Sequence, residues 1–156
     1  MRWIVVGITL TWNVVVFAGE PPHDNPRSTI EAYLAAALAG NIDEAVSLAT
    51  EDREASSNNT LQDFKTMFDA NNMKVPIVWL GEKNGRAIAV SEEVKIAESN
   101  PDGRNTGRLV FDLVKTKGKW LVDSVGFDTA ERAKEQVGEF KKENPDAKSL
   151  ALKPKD

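Results

Sequence analysis

Residues 75–98 read VPIVWLGEKNGRAIAVSEEVKIAE, and this stretch decides the fold. Val75, Ile77 and Trp79 alternate with Pro76, Val78 and Leu80. Both sets are apolar, so the first strand is expected to be covered on two sides. Pro76 places the start of that strand, or an edge, at this point. Asn84-Gly85 separates two apolar runs by a two-residue turn whose positive φ angles suit a hairpin. The second strand is expected from Arg86 to about Glu98. By strict alternation Ile88, Val90, Glu92, Val94 and Ile96 share one face.

Working outward toward the C-terminus, Asn100-Pro101-Asp102-Gly103 reads as a turn, since proline presets φ and glycine accepts positive φ. Leu109, Phe111 and Leu113 alternate with Val110, Asp112 and Val114 in a third strand. Lys117-Gly118 turns into a fourth strand from Trp120 to Phe127. From Thr129 a helix is expected, with Ala130, Ala133, Val137 and Phe140 on one face and charge on the other. Asn144-Pro145 ends it, and residues 145–156, with Pro154 and several lysines, read as a disordered tail.

Toward the N-terminus the pattern turns helical. Asn25 is a candidate N-cap with Pro26 at the first helical position. Ile30, Tyr33, Leu34, Ala37 and Leu38 then recur at helical spacing. Gly40 closes this helix, and Asn41 opens a short second one with Ile42, Ala45 and Val46. A third helix is expected after Thr60, carrying Leu61, Phe64, Met67 and Phe68. The order is three helices, a four-stranded antiparallel meander and one helix. Segregated helices and strands predict an α+β domain over residues 26–144.

The first residues read as a targeting segment. Arg2 precedes an apolar run from Trp3 to Val16, and Val16-Phe17-Ala18 fits a cleavage site before Gly19. The run is shorter than a spanning helix needs. Residues 1–18 are therefore expected to be a signal peptide, residues 19–25 a flexible leader, and the protein exported, either periplasmic or secreted. Membrane attachment would arise only from an uncleaved signal. The chain has 156 residues, no cysteine, one histidine and a net charge of −4. Removing residues 1–18 takes away Arg2, leaving 19 basic and 24 acidic residues and a net charge of −5. A mildly acidic chain has no general attraction to nucleic acid. Without cysteine, disulfides, thiolate metal sites and cysteine nucleophiles are excluded.

Tyr33 in the first helix, Gly40-Asn41 leading to Asp43 and Ala45, and Gly118-Lys119-Trp120-Leu121-Val122 together resemble the NTF2-like superfamily. The resemblance spans residues 27–128. It implies a curved sheet wrapped around a helix, with a conical cavity between them. It also implies one of several uses: catalysis, small-molecule binding, protein interaction, or dimerisation through the sheet. The chain departs from the pattern in lacking a strand between its second and third helices, and in having an added C-terminal helix. The added helix implies that a surface open in other members is covered here.

The candidate chemistry is sparse. His23, the one imidazole, falls in the leader, where nothing holds it against a substrate as a general base must be held. This removes the His–Asp pair that the resemblance would supply, and any Ser-His-Asp arrangement. Tyr33, Trp79, Glu92 and Trp120 are the expected lining of a small cavity, with Glu92 as polar anchor. A glutamate among β-branched residues is costly to bury unless paired or neutral. The alternative is a bulge at Glu92-Glu93 that turns it outward. Asp112 and Asp123 would form an acidic dyad if their strands make a hairpin; the alternative is a solvated face with Lys95, Lys115 or Arg108 pairing across strands. No metal site or cofactor is called for. The expected function is a non-catalytic binding or accessory module. The alternatives are a histidine-free hydrolase or isomerase using Glu92 or Asp112 and Asp123, and a structural domain that forms a homodimer through the sheet.

Overall fold

The computed structural model describes residues 23–51, 54–57, 60–62, 64, 75–96 and 105–151. Its elements are α1 (Pro26–Ala39), α2 (Ile42–Ser47), a 3-10 turn (Glu54–Ser56), β1 (Ile77–Lys83), β2 (Arg86–Lys95), β3 (Thr106–Thr116), β4 (Lys119–Asp128), α3 (Ala130–Glu143) and β5 (Lys148–Ala151). Thr60, Leu61, Gln62 and Phe64 are also helical; the rest of the expected third N-terminal helix lies outside the described residues. So do the expected signal peptide, residues 19–22 of the leader, and the turn at Asn100–Gly103. Among the described residues no helix is long and apolar enough to cross a membrane.

The fold is α+β, with one antiparallel sheet in the order β4-β3-β2-β1-β5. Two tight turns set the register. Asn84 and Gly85 have φ of 51° and 75°, and Lys117 and Gly118 have φ of 52° and 84°. Paired positive φ angles match the twist of antiparallel strands, so β1–β2 and β3–β4 close as two-residue hairpins. α1 begins as expected: Asn25 Oδ1 accepts from Ser28 N at 2.9 Å and Pro26 is the first helical residue. Gly40 ends it in the left-handed region.

Among the described residues the sheet has five strands, not four. The fifth, Lys148–Ala151, pairs with β1 and lies within the segment expected to be a disordered tail. β1 would otherwise present an open row of backbone groups, and an unpaired edge readily recruits another strand. The β4 edge is covered too. Val122 N donates to Leu48 O at 2.9 Å, and Thr50 N donates to Val122 O at 2.8 Å.

Three bulges curve the sheet. The register shifts at Val78 in β1, between Val90 and Glu93 in β2, and at Asp123 in β4. One extra residue bends a strand and inverts its inward–outward alternation beyond that point. In β2, Ala87, Ala89 and Ser91 face inward, and after the bulge so do Val94 and Ile96. The single face expected to run from Ile88 to Ile96 is therefore broken at Ser91–Glu92.

The inner face of the sheet packs on α1 and α2 through Leu109, Phe111, Leu113, Trp120 and Val122, against Ile30, Tyr33 and Leu34. Each such side chain, fully buried, contributes about 1.5–3 kcal/mol. On the outer face Ile88, Val90 and Val110 meet Ala133 of α3, with Trp79, Val137 and Phe140 half-buried around them. α3 thus lies across the apolar face that a sheet-to-sheet homodimer would use, and such a dimer would require α3 to leave.

Candidate functional site

The structure does not bring the four expected lining residues together. Tyr33 and Trp120 belong to the buried core on the inner face. Tyr33 is fully buried, its hydroxyl donates to Ala55 O at 2.8 Å, and its ring stands edge-on to Phe64 with centroids 6.3 Å apart. Trp120 is also buried, with Lys115 Nζ 5.7 Å from its ring centroid. Glu92 sits at the β2 bulge with its side chain exposed, while its backbone N donates to Pro76 O at 2.8 Å. It is not a polar anchor inside a cavity, because the bulge turns it into solvent. Trp79 faces a groove on the opposite side of the sheet from Tyr33 and Trp120.

The acidic dyad does not form. Asp112 stands opposite Ser124, whose hydroxyl donates to Asp112 Oδ2 at 2.9 Å. Asp123 is the extra residue of the β4 bulge, so it has no place in the register across from Asp112. His23 is not loose in a leader. Its carbonyl accepts from Trp120 N at 3.1 Å, and its Nδ1 lies 3.0 Å from Trp120 O. A carbonyl only accepts, so Nδ1 carries the proton and donates. The imidazole is a clasp on the start of β4, not a base aimed at a cleft.

The open surface of the molecule follows α3. Thr129 caps this helix, its Oγ1 accepting from Arg132 N at 3.1 Å. Glu131 in the first turn and Lys141 and Lys142 in the last complement the helix dipole. An aromatic pair helps to hold the helix on the sheet. Phe140 meets Trp79 edge-on, with centroids 6.0 Å apart, and Lys141 Nζ lies 5.5 Å from the Trp79 ring. The Trp79 ring lies over Gly81, where any Cβ would collide with Trp79 and approach Phe140 to 2.8 Å. The absence of a side chain at Gly81 is what lets the two rings interlock on the sheet.

Because α3 covers only a line across the outer face, it leaves a groove on each flank. One, of about 490 Å³, is polar: Asp112, Gln136, Glu139 and Glu143 border it together with Lys83 and Arg86. There Gln136 Nε2 donates to Asp128 Oδ2 at 3.3 Å, and Gln136 Oε1 is buried with no donor among the described residues. The other, of about 390 Å³, has an apolar floor of Val78, Trp79 and Val90, a wall of Ala133 and Val137, and Arg108 and Lys134 at its rim. Arg108 is held in place, since its Nη1 donates to the Ser91 carbonyl at 2.8 Å. Ser91 is itself fixed by the bulge: its Oγ accepts from Leu109 N at 2.8 Å and donates to Glu92 O at 2.6 Å.

Sequence reasoning placed neither cation at a groove: Arg108 entered it only as a cross-strand partner for the acidic pair, and Lys134 not at all. Alternation did hold the signal for Arg108, which shares a strand face with Val110. Lys134 lies one turn before Val137 on α3, so helical spacing puts it beside the apolar stripe. Among the described residues no group of three or more His, Cys, Asp or Glu side chains is placed to hold a metal ion.

No family model matches the chain. No curated protein matches it either. Among solved structures, one described as a calcium/calmodulin dependent protein kinase II association domain from Xanthomonas campestris is similar over 66% of this chain and 84% of that chain, at 14% sequence identity and a TM-score of 0.41.

Proposed function

We propose that this chain is an exported, non-catalytic binding module of the NTF2-like kind, and that it binds on the outer face of its sheet beside α3. The observation that carries this reading is the contrast between the buried side chains of the inner face and a floor of Val78, Trp79 and Val90 left open along the helix. Small-molecule sites favour an apolar floor with a few placed polar groups, in volumes of roughly 300–1,000 Å³. The apolar groove has that make-up. The resemblance in Tyr33, Gly40-Asn41 and the Gly118–Val122 stretch supports the NTF2-like assignment, as does the inward packing of α1 on a bulged antiparallel sheet. Export rests on the N-terminal segment alone.

Native mass spectrometry of the chain purified from its source tests both parts. The expected result is a polypeptide beginning at Gly19, carrying a retained small molecule that is lost in a Val137→Arg variant of unchanged circular dichroism. An adduct that survives Val137→Arg would move the binding surface elsewhere. A chain that keeps Met1 would sink the export reading.

A further inference from the structure

Resting on that reading, we infer that the apolar groove takes an amphipathic carboxylate: one acyl chain with a singly charged head. The floor and wall are hydrocarbon and indole, which suit a chain and offer nothing to a polar body. Charge is distributed unequally about α3. Lys134 and Lys141, seven residues apart, project on the flank of this groove, and Lys141 extends the cationic side over Trp79. Glu139 and Glu143 project on the other flank. The apolar groove is therefore the one that attracts an anion.

Arg108 supplies the anchor. Its guanidinium is fixed by the Ser91 carbonyl, so little side-chain freedom is lost when it meets a carboxylate. Two carboxylates neighbour it in the register, Glu93 on β2 and Asp128 on β4. Asp128 is engaged by Gln136, and among the described residues neither carboxylate is ion-paired with Arg108. Arg108, Lys134 and Lys141 against Glu93 and Asp128 leave one surplus positive charge, which suits a monoanionic head and not a phosphate. The head would sit between Arg108 and Lys134, with the chain lying over Trp79 toward Val137.

Trp79 is a built-in reporter, because Trp120 is buried in the interior. The test titrates the mature chain with dodecanoate, dodecanol and dodecyl phosphate, each below its aggregation concentration, and follows tryptophan emission. Dodecanoate is expected to give a saturable change that disappears in Trp79→Phe. Affinity should fall by about tenfold or more for dodecanol, and equally for dodecanoate with an Arg108→Gln/Lys134→Gln variant whose thermal melt matches wild type. A Glu139→Gln/Glu143→Gln variant should bind as wild type does. Equal affinity for the alcohol, tighter binding of dodecyl phosphate, or an unchanged double variant would each overturn the assignment. If dodecanoate does not bind but a natively retained adduct is still lost in Val137→Arg, the ligand class falls and the binding surface stands. If neither is seen, both fall.

Discussion

On its inner face the sheet meets α1 and α2 through side chains such as Phe111, Leu113 and Trp120, none more than 1% exposed. On its outer face it meets α3, where Ala133 is the one buried helix residue and Val137, Phe140 and Trp79 are half-covered. The same sheet thus carries one complete interface and one partial interface. Close burial yields stability. Partial burial yields less stability and leaves two grooves, and the features a ligand would need lie there.

The largest expected effect tests that division directly. Phe111→Ala removes a fully buried ring from the inner core and should cost about 3–5 kcal/mol in chemical denaturation. Phe140→Ala removes a partly buried ring from α3 and should cost about 1–2 kcal/mol, in line with the smaller area withdrawn from water. Equal losses would mean that α3 is as integral to the fold as α1, and the contrast between the faces would fail.

An intermediate effect sharpens the comparison. In Gly81→Val the new side chain occupies the space beneath Trp79 and Phe140, and neither ring can stay. Overpacking of this kind costs about 1–3 kcal/mol. The loss should be local: amide hydrogens of α3 and β5 exchange faster, while those of β3 and β4 keep their protection. A parallel loss of protection in β3 would show that the two faces fold and loosen as one unit.

The two faces were also unequally legible in the sequence. The hairpins were readable because Asn84-Gly85 and Lys117-Gly118 carry their turn chemistry locally, and Asn25, Pro26 and Thr129 mark helix starts in the same local way. The inner core followed from helical spacing in α1 and alternation in β3. Bulges leave no comparable local mark, yet each one inverts the faces beyond it. Strict alternation therefore joined Glu92 to Val94 and Ile96, and set Asp123 rather than Ser124 across from Asp112. β5 was not readable, because Lys148-Ser149-Leu150-Ala151 has little strand propensity of its own; its pairing with β1 creates the strand. Of the candidate site, Trp79 was legible as an aromatic that could face a ligand. Its neighbours Arg108, Lys134 and Val137 come together only through the β2–β3 register and the rotation of α3, which are tertiary facts.

The smallest expected effect concerns the tie that returns the chain from α3 to the sheet. Lys83 Nζ lies 3.0 Å from Asp146 Oδ2, joining the end of β1 to the turn before β5. The hydrogen bond from Lys83, and then its charge, hold the Asp146 carboxyl below the ordinary carboxylate range. A carboxylate with a lowered folded-state pKa stabilises the fold above its unfolded value and loses that contribution as pH falls through the folded one. Asp146 is fully exposed, so solvent and salt screen the pair and its contribution is slight. Asp146→Asn should therefore speed exchange of the β5 amides modestly at neutral pH. That difference from wild type should shrink in high salt and vanish on acidification below the ordinary carboxylate range, with β3 and β4 unaffected throughout. A difference that persisted in acid would show that Asp146 holds the turn by its shape rather than its charge. The charge of the pair would then contribute nothing to the fastening of β5, and the outer face would hold without it.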